Sequence, residues 1–338
     1  MFQSVKKMNE NEIRPRNLLD KQRELMLQDI EYLLSFQDQF IEVPCPACKG
    51  DNFKKIFEKF SMTYNTCDNC QTMFISPRPT PKILGDFYAN SANYDYWATH
   101  IFPTSEKVRT EKIFRPRAER VRQLCEKYES ASHTMIEIGA GYGTFGYEVQ
   151  KLGFVNRYIA VEPSNSLAEK CKSRGLEVIN KPIEQANFES ESIDIICSFE
   201  VVEHLFNPLD ILETCYRILK PGGLIIVTNP NGKGFDVVTA PQISTTVDVE
   251  HLNYFNPDSM EILLGNAGFE VIEVMTPGLL DTDIVRNMFL NGDLKQSDNP
   301  FLYQILIDKW DEVGSSFQEF LVNNKLSSHM WTIARKKN

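Results

Sequence analysis

The spacing of apolar positions along this chain changes twice, and the changes divide it. Between residues 17 and 40, Leu18, Leu19, Leu25, Ile30, Leu33, Leu34 and Phe40 recur among charges near the helical period, which predicts a helix. Such a stripe either packs on its own domain, the simpler outcome, or pairs with a second copy in a homodimer. From residue 43 the pattern breaks up around paired cysteines and the run Pro77-Arg78-Pro79-Thr80-Pro81, which interrupts regular structure. Residues 82–130 return to a helical texture that carries Tyr88, Tyr94, Tyr96 and Trp97. From Thr134 onward, short β-rich runs at 135–138, 158–161, 177–179, 193–198 and 224–228 alternate with amphipathic helical ones. That alternation predicts a doubly wound, mostly parallel sheet covered by helices. Two later strands, 270–275 and 330–335, make seven and bracket an insertion at about 277–326. The expected organisation is an N-terminal helix (1–42), a small cysteine module (43–81), a helical lid or linker (82–130) and an α/β domain (131–338).

Composition narrows the partners. Apolar residues at 42% and charged residues at 24% are ordinary globular proportions, so a chain of 338 residues can bury a sizeable core. The net charge of −10 repels a phosphate backbone and no basic run overrides it, so no nucleic-acid partner is expected. Met1 to Asp20 is polar without an apolar leader, and nothing approaches the ~20 apolar residues of a membrane span. The expectation is a cytoplasmic protein that uses no membrane, where eight cysteines favour metal ligation or burial over disulfides. Cys45, Cys48, Cys67 and Cys70 follow a C-x2-C-x18-C-x2-C spacing. Each turn presents two thiolates to one ion, so the spacing predicts tetrahedral zinc, structural because four ligands leave no open position. A redox role is disfavoured because neither Cys-x-x-Cys precedes a βαβ helix. Cys125, Cys171, Cys197 and Cys215 read as core residues.

The run Glu137-Ile-Gly139-Ala140-Gly141-Tyr-Gly143 places glycines directly after a strand, where backbone can approach a ligand closely. A dinucleotide pattern, Gly141-x-Gly143-x-x-Gly146, is displaced two residues into the helix, out of reach for a pyrophosphate at the helix N-terminus. Glu137 can instead meet a cationic amine. Glu162, closing the second strand in Ala-Val-Glu162-Pro163-Ser, is placed for two ribose hydroxyls. Ser198-Phe199-Glu200-Val-Val-Glu-His204-Leu follows the fourth strand, and Pro221-Gly-Gly-Leu-Ile-Ile-Val-Thr-Asn-Pro230 covers the fifth. With these motifs in order, about residues 105–275 and the last strand resemble the class I S-adenosylmethionine-dependent methyltransferases. The resemblance implies S-adenosylmethionine as cofactor, held by Glu137, Gly139, Ala140, Gly141, Gly143, Glu162, Pro163, Phe199 and Glu200. It also places Glu184 near the adenine, a position where relatives commonly carry Asp. More narrowly, Cys45-Pro-Ala-Cys48, Ser76-Pro-Arg-Pro79, the tyrosines ahead of the glycine turn and Glu250-His-Leu-Asn-Tyr-Phe255 resemble methyltransferases of deoxysugar and surface-polysaccharide pathways. That likeness implies a sugar or nucleotide-sugar acceptor. Members that methylate sugar carbon carry a further large C-terminal domain, whereas this sequence ends about 63 residues after the sixth strand, which sets an expectation of O-methylation.

A sugar hydroxyl has a high pKa and gains from a positioned base at the carboxyl edge of the sheet. Asn256-Pro257 reads as a helix N-cap and first residue, so residues 231–255 form a loop at that edge. His251 in this loop either contacts or deprotonates the acceptor, or bonds to backbone to hold the loop. Glu250 points the other way if the loop is extended, and His204 is the second candidate base, with a packing role as its alternative. Tyr94 and Tyr96 read as acceptor or donor contacts, or simply as core. Asp281, Asp283 and Arg286 could hold sugar hydroxyls or a phosphate, or serve as helix-terminus charges with an intrahelical pair. Two other functions stay open: an RNA or protein methyltransferase reading its target through the cysteine module, and a non-catalytic S-adenosylmethionine-binding regulator.

Overall fold

The computed structural model describes residues 10–337; the first nine residues, part of the polar opening segment, and Asn338 lie outside the described residues. Among the described residues are eleven strands: β1 (Phe53–Lys59), β2 (Met62–Cys67), β3 (Met73–Ile75), β4 (Thr134–Ile138), β5 (Arg157–Val161), β6 (Glu177–Ile179), β7 (Ile193–Phe199), β8 (Leu219–Pro230), β9 (Asn253–Tyr254), β10 (Glu270–Met275) and β11 (His329–Arg335). Seven of them form one sheet in the order β10-β11-β8-β7-β4-β5-β6. Strands β4 to β8 are parallel, and β11 runs antiparallel to both β8 and β10. This is the doubly wound, mostly parallel sheet that the alternating pattern predicts. Side chains alternate across it. Ile136, Ile138 and Ile225 face one apolar cluster, while Met135, Ile195 and Leu224 face the other. Strand order reverses between β4 and β7, which opens a crevice at the carboxyl ends of those strands.

A second, antiparallel sheet has the order β1-β2-β3-β9. Its fourth strand comes from the loop after β8, with Phe74 opposite Asn253 and Met73 opposite Tyr254. The cysteine module and the α/β domain therefore share backbone pairing, and they share cores as well. Tyr64, Met73 and Ile75 pack with Val247, Leu252 and Tyr254, and Ile30 and Leu33 of the helix Arg16–Leu34 enter the same cluster.

Residues 81–127 are helical almost throughout. Two wide π-turns, Trp97–Ile101 and Thr110–Phe114, each precede a helix with proline in its first turn, Pro103 and Pro116. Proline removes one i→i−4 bond and crowds the preceding turn, and a wider turn relieves both. The carboxylate of Asp29 accepts from Ser91 Oγ (2.5 Å) and from the amides of Ala92 (3.1 Å) and Asn93 (2.9 Å), satisfying the start of the next helical segment. Between β10 and β11 the insertion folds as helices around Val285, Phe289 and Leu306. No helix among the described residues is long and apolar enough to cross a membrane.

Candidate active site

At the end of β4, Gly139, Gly141 and Gly143 all take positive φ (72°, 56° and 69°), the left-handed region open to residues without a Cβ. Space separates their roles. A Cβ on Gly139 would meet Val201 at 2.6 Å and one on Gly143 would meet Leu176 at 2.7 Å, whereas one on Gly141 would meet nothing within 4 Å. Gly139 and Gly143 thus serve packing, and Gly141 borders open space. The Gly141 amide donates to Glu162 Oε2 (2.8 Å) and the Ser164 amide donates to Glu162 Oε1 (2.9 Å). Two N–H groups fix that carboxylate and leave lone pairs on both oxygens for a vicinal diol. Glu137 is buried in β4, bonded to the Tyr158 hydroxyl, and burial pushes its carboxyl up to about 8 against the opposing effects of Tyr158 and Arg117. Gly146 is what admits Tyr158, since a Cβ there would lie 2.4 Å from its ring.

Glu200 leaves the end of β7 with φ of 55°, a conformation costly for a side chain and typical of functional turns. Its amide donates to Thr228 O (2.9 Å), and its Oε1 accepts from Thr228 Oγ1 (2.6 Å). Phe199 is buried edge-on against Phe145 (4.8 Å), with the Arg117 guanidinium 4.6 Å from its ring centroid. Ala140 is buried in the turn, while Pro163 and Glu184 are exposed.

Beyond Glu200 opens a cavity of about 560 Å³, whose walls include Arg109, Arg117, Asp248, His251, Leu280 and His329. The loop after β8 winds so that Asp248 Oδ1 accepts from the amides of Glu250 (2.9 Å) and His251 (2.8 Å). His251 Nδ1 lies 2.8 Å from Thr246 O and 3.2 Å from Asp248 Oδ2. Both partners are acceptors, so Nδ1 carries the proton and the lone pair sits on Nε2. His204 stands against this ring, centroids 4.7 Å apart, with Nδ1 3.1 Å from Glu250 O, and burial drops its pKa to about 3. The neighbouring Glu203 carboxyl is fully buried with neither oxygen hydrogen-bonded, and burial raises it well above the usual carboxylate range, so it is held uncharged. A nitrogen of each imidazole and an oxygen of Glu203 lie within 4.8 Å of one another, a donor set that a divalent cation could also use.

Glu250 sits in a polar pocket beside Asn93 and Tyr94. Asn93 Nδ2 donates to it at 3.4 Å, and burial raises it to about 7 beside Tyr94. Tyr94 packs edge-on to Tyr88, which in turn meets the His204 ring, whereas Tyr96 stacks on His100 (4.6 Å) outside the cavity wall. Asp281 lines the cavity, but its oxygens are taken by Ser327 Oγ, the Ser328 amide and Gln318 Nε2. Asp283 lies in the first turn of the same helix, Asp281–Asn291, and Arg286 turns into the cap, bonded to Leu306 O (3.1 Å) over the Trp310 ring. Arg117, Asp248, His329 and Trp331 also line the cavity and carried no motif. Only the helical spacing of Arg109, Lys112, Arg117 and Arg120 on one segment could have flagged the first of them.

The four module cysteines bring their sulfurs within 4.8 Å of one another, with Cys45–Cys70 at 3.4 Å and Cys48–Cys67 at 3.5 Å. These separations far exceed the ~2.05 Å of a disulfide and lie near those of thiolates sharing one tetrahedral ion at ~2.3 Å. Both turns have one shape. Lys49 N donates to Cys45 O and Gln71 N to Cys67 O, and Lys49 and Gln71 both take positive φ. The cluster is tied to the α/β domain: Asn266 Nδ2 donates to Ala47 O and Asn256 Nδ2 to Cys70 O, each at 3.0 Å. Arg78 from the Pro-Arg-Pro run is fully buried and donates to the carbonyls of Ile75, Phe206 and Leu252 and to Asn253 Oδ1. Asn253 Nδ2 passes the restraint to the carbonyls of Val202, Glu203 and Leu205. One arginine thus braces both histidine-bearing segments.

The strand order is that of the class I methyltransferase fold, and residues 109–274 match the family model described as a methyltransferase domain. A probable S-adenosylmethionine-dependent methyltransferase of Mycobacterium tuberculosis is 29% identical over 157 residues, 46% of this chain and 54% of the relative. The ubiquinone biosynthesis O-methyltransferase of Caulobacter vibrioides is 30% identical over 103 residues, 29% of this chain and 41% of that one. The chain thus spans about half the length of the curated relatives it matches. Among solved structures, a SAM-dependent methyltransferase from Archaeoglobus fulgidus aligns at 20% identity over 70% of this chain and 100% of its own, with a TM-score of 0.45.

Proposed function

We propose that the protein transfers the methyl group of S-adenosylmethionine to a hydroxyl of a sugar or nucleotide-linked sugar, with His251 as the proton acceptor. The observation that carries this is the Asp248–His251 pair. It is an imidazole whose Nδ1 is held by a carbonyl and a carboxylate, and it lines the same cavity as Glu200 at the donor end. Methyl transfer from a sulfonium is an in-line displacement in which the donor is already activated. The protein's tasks are orientation, exclusion of water and removal of the hydroxyl proton. Glu162 receives the ribose hydroxyls, Glu137 the donor's ammonium and Arg117 its carboxylate. His251 Nε2 takes the proton, and the positive charge that develops is stabilised by Asp248. His204 stays neutral and packs against the ring, while Glu250 holds the tyrosine side of the pocket. The cysteine cluster holds one structural zinc, whose chemistry is to fold the two turns. Its bonds to the loops above support a bracing role over a reader role.

The test supplies methyl-tritiated S-adenosylmethionine and a panel of nucleotide sugars and free deoxysugars. Label should enter a sugar product as an alkali-stable methyl ether, and His251→Ala should abolish it. Slow loss of label to water across every acceptor would instead indicate a donor-binding regulator. Salt-sensitive labelling of RNA would replace the sugar reading.

A further inference from the structure

We propose that the acceptor carries a phosphate or diphosphate, and that Arg109, with Arg14 beside it, receives that group at the far end of the cavity from the donor. The inference rests on the reading that this cavity holds the acceptor. In a protein of net charge −10, the wall gathers five cations, Arg14, Arg109, Arg117, Arg120 and Lys112, the last paired with Glu12 (2.6 Å), against three acids, Glu200, Asp248 and Asp281. The acids are already engaged: Asp248 by its own loop amides, Asp281 by Ser327, Ser328 and Gln318, and Glu200 by Thr228. Arg109 is held by neutral groups. Its guanidinium donates to Ile13 O (2.8 Å) and Ser105 Oγ (2.9 Å) and lies over the Trp97 and Phe102 rings. Burial, with the like charge of Arg14, lowers it to about 10.

The donor does not account for this wall. S-adenosylmethionine carries a sulfonium and an ammonium against a single carboxylate, so a surplus of cations repels it overall. Its one carboxylate can engage one guanidinium, and Arg117 lies on the donor side, over Phe199 and within the field of Glu137 and Glu200. Arg109 is eight residues earlier, on the other side of the π-turn Thr110–Phe114. The two guanidinium groups are held on different rings, Phe199 and Trp97, so one carboxylate does not reach both. A second anion must come from the acceptor. Phosphate oxygens suit a guanidinium flanked by a second cation, and a nucleotide-linked sugar brings a diphosphate.

The experiment uses the full-length, metal-replete chain saturated with S-adenosylhomocysteine and titrates inorganic pyrophosphate, with malonate in parallel, by calorimetry. Pyrophosphate should bind with a submillimolar Kd that weakens as salt rises, and more tightly than malonate. Arg109→Gln should weaken it at least about tenfold, the loss of one charge-assisted contact, and Arg109→Lys should recover most of that loss. Thermal unfolding of each variant reports whether it folds. Absence of pyrophosphate binding to the wild-type protein below about 10 mM, malonate binding tighter than pyrophosphate, or equal affinity in a folded Arg109→Gln would each overturn the proposal. Because no methyl is transferred, failure here leaves the methyltransferase reading standing, and failure of methyl transfer leaves this binding result standing.

Discussion

Replacing Glu162 tests the donor site most directly, because its carboxylate is already half committed. One oxygen takes the Gly141 amide at 2.8 Å and the other the Ser164 amide at 2.9 Å, which leaves roughly one hydrogen-bonding position per oxygen for the ribose. Glu162→Ala removes two hydrogen bonds to a charged acceptor. At about 1.5 kcal/mol each the loss is ~3 kcal/mol, or roughly 150-fold in Kd. Glu162→Gln is the sharper variant. Its amide nitrogen must face one of the two N–H groups, donor against donor, so the isosteric side chain should recover little of the loss. Calorimetric titration of S-adenosylhomocysteine into wild-type, Ala and Gln proteins measures both effects. Unchanged affinity in the alanine variant, or full recovery by glutamine, would refute the geometry, since neither is compatible with a carboxylate accepting on both oxygens.

Three further outcomes follow from the same site. His251→Ala should lower kcat by ~10²–10³ while leaving donor affinity within about twofold; joint loss of stability and donor binding would make His251 a loop-holding residue and move attention to His204. Glu137, with its carboxyl pushed up to about 8, is roughly nine-tenths protonated at pH 7. A donor ammonium lowers that pKa, so binding at pH 7 should release close to one proton, seen as buffer-dependent binding enthalpy, and at pH 9, where Glu137 is already mostly ionised, release should nearly vanish; an enthalpy independent of buffer at pH 7 would exclude the contact. Metal analysis should find one zinc per chain, and its chelation should lower kcat before donor affinity falls, because Arg78 and Asn253 brace the histidine segments and not the glycine turn. A second equivalent lost on Glu203→Gln would place a cation at the histidine pair.

Local pattern determined the seven strands of the larger sheet, the glycine turn and the cysteine quartet, because each is written in neighbouring residues: short β-rich apolar runs, glycines after a strand, and thiols three positions apart. The helix cap at Asn256-Pro257 belongs to the same group, as the side chain accepts from Asp258 and Ser259 only three residues on. Tertiary structure decided what no local pattern carries. The strand β9 is two residues long and forms only because β3 offers it an open edge, so its sequence holds no strand signal. Arg78 sits in a Pro-rich run that reads as a breaker, yet it is buried because carbonyls from two distant segments, at Phe206 and Leu252, join that of nearby Ile75 around its donors. The pairing of His204 with His251, 47 positions apart, and the cationic wall that joins Arg14 to Arg109 and Arg117 depend on the packing of helices against the carboxyl edge of the sheet. Chain-local rules report which way a residue faces on its own element; only the packed fold sets which elements face one another, and the acceptor end of this site is built almost wholly from the second kind of information.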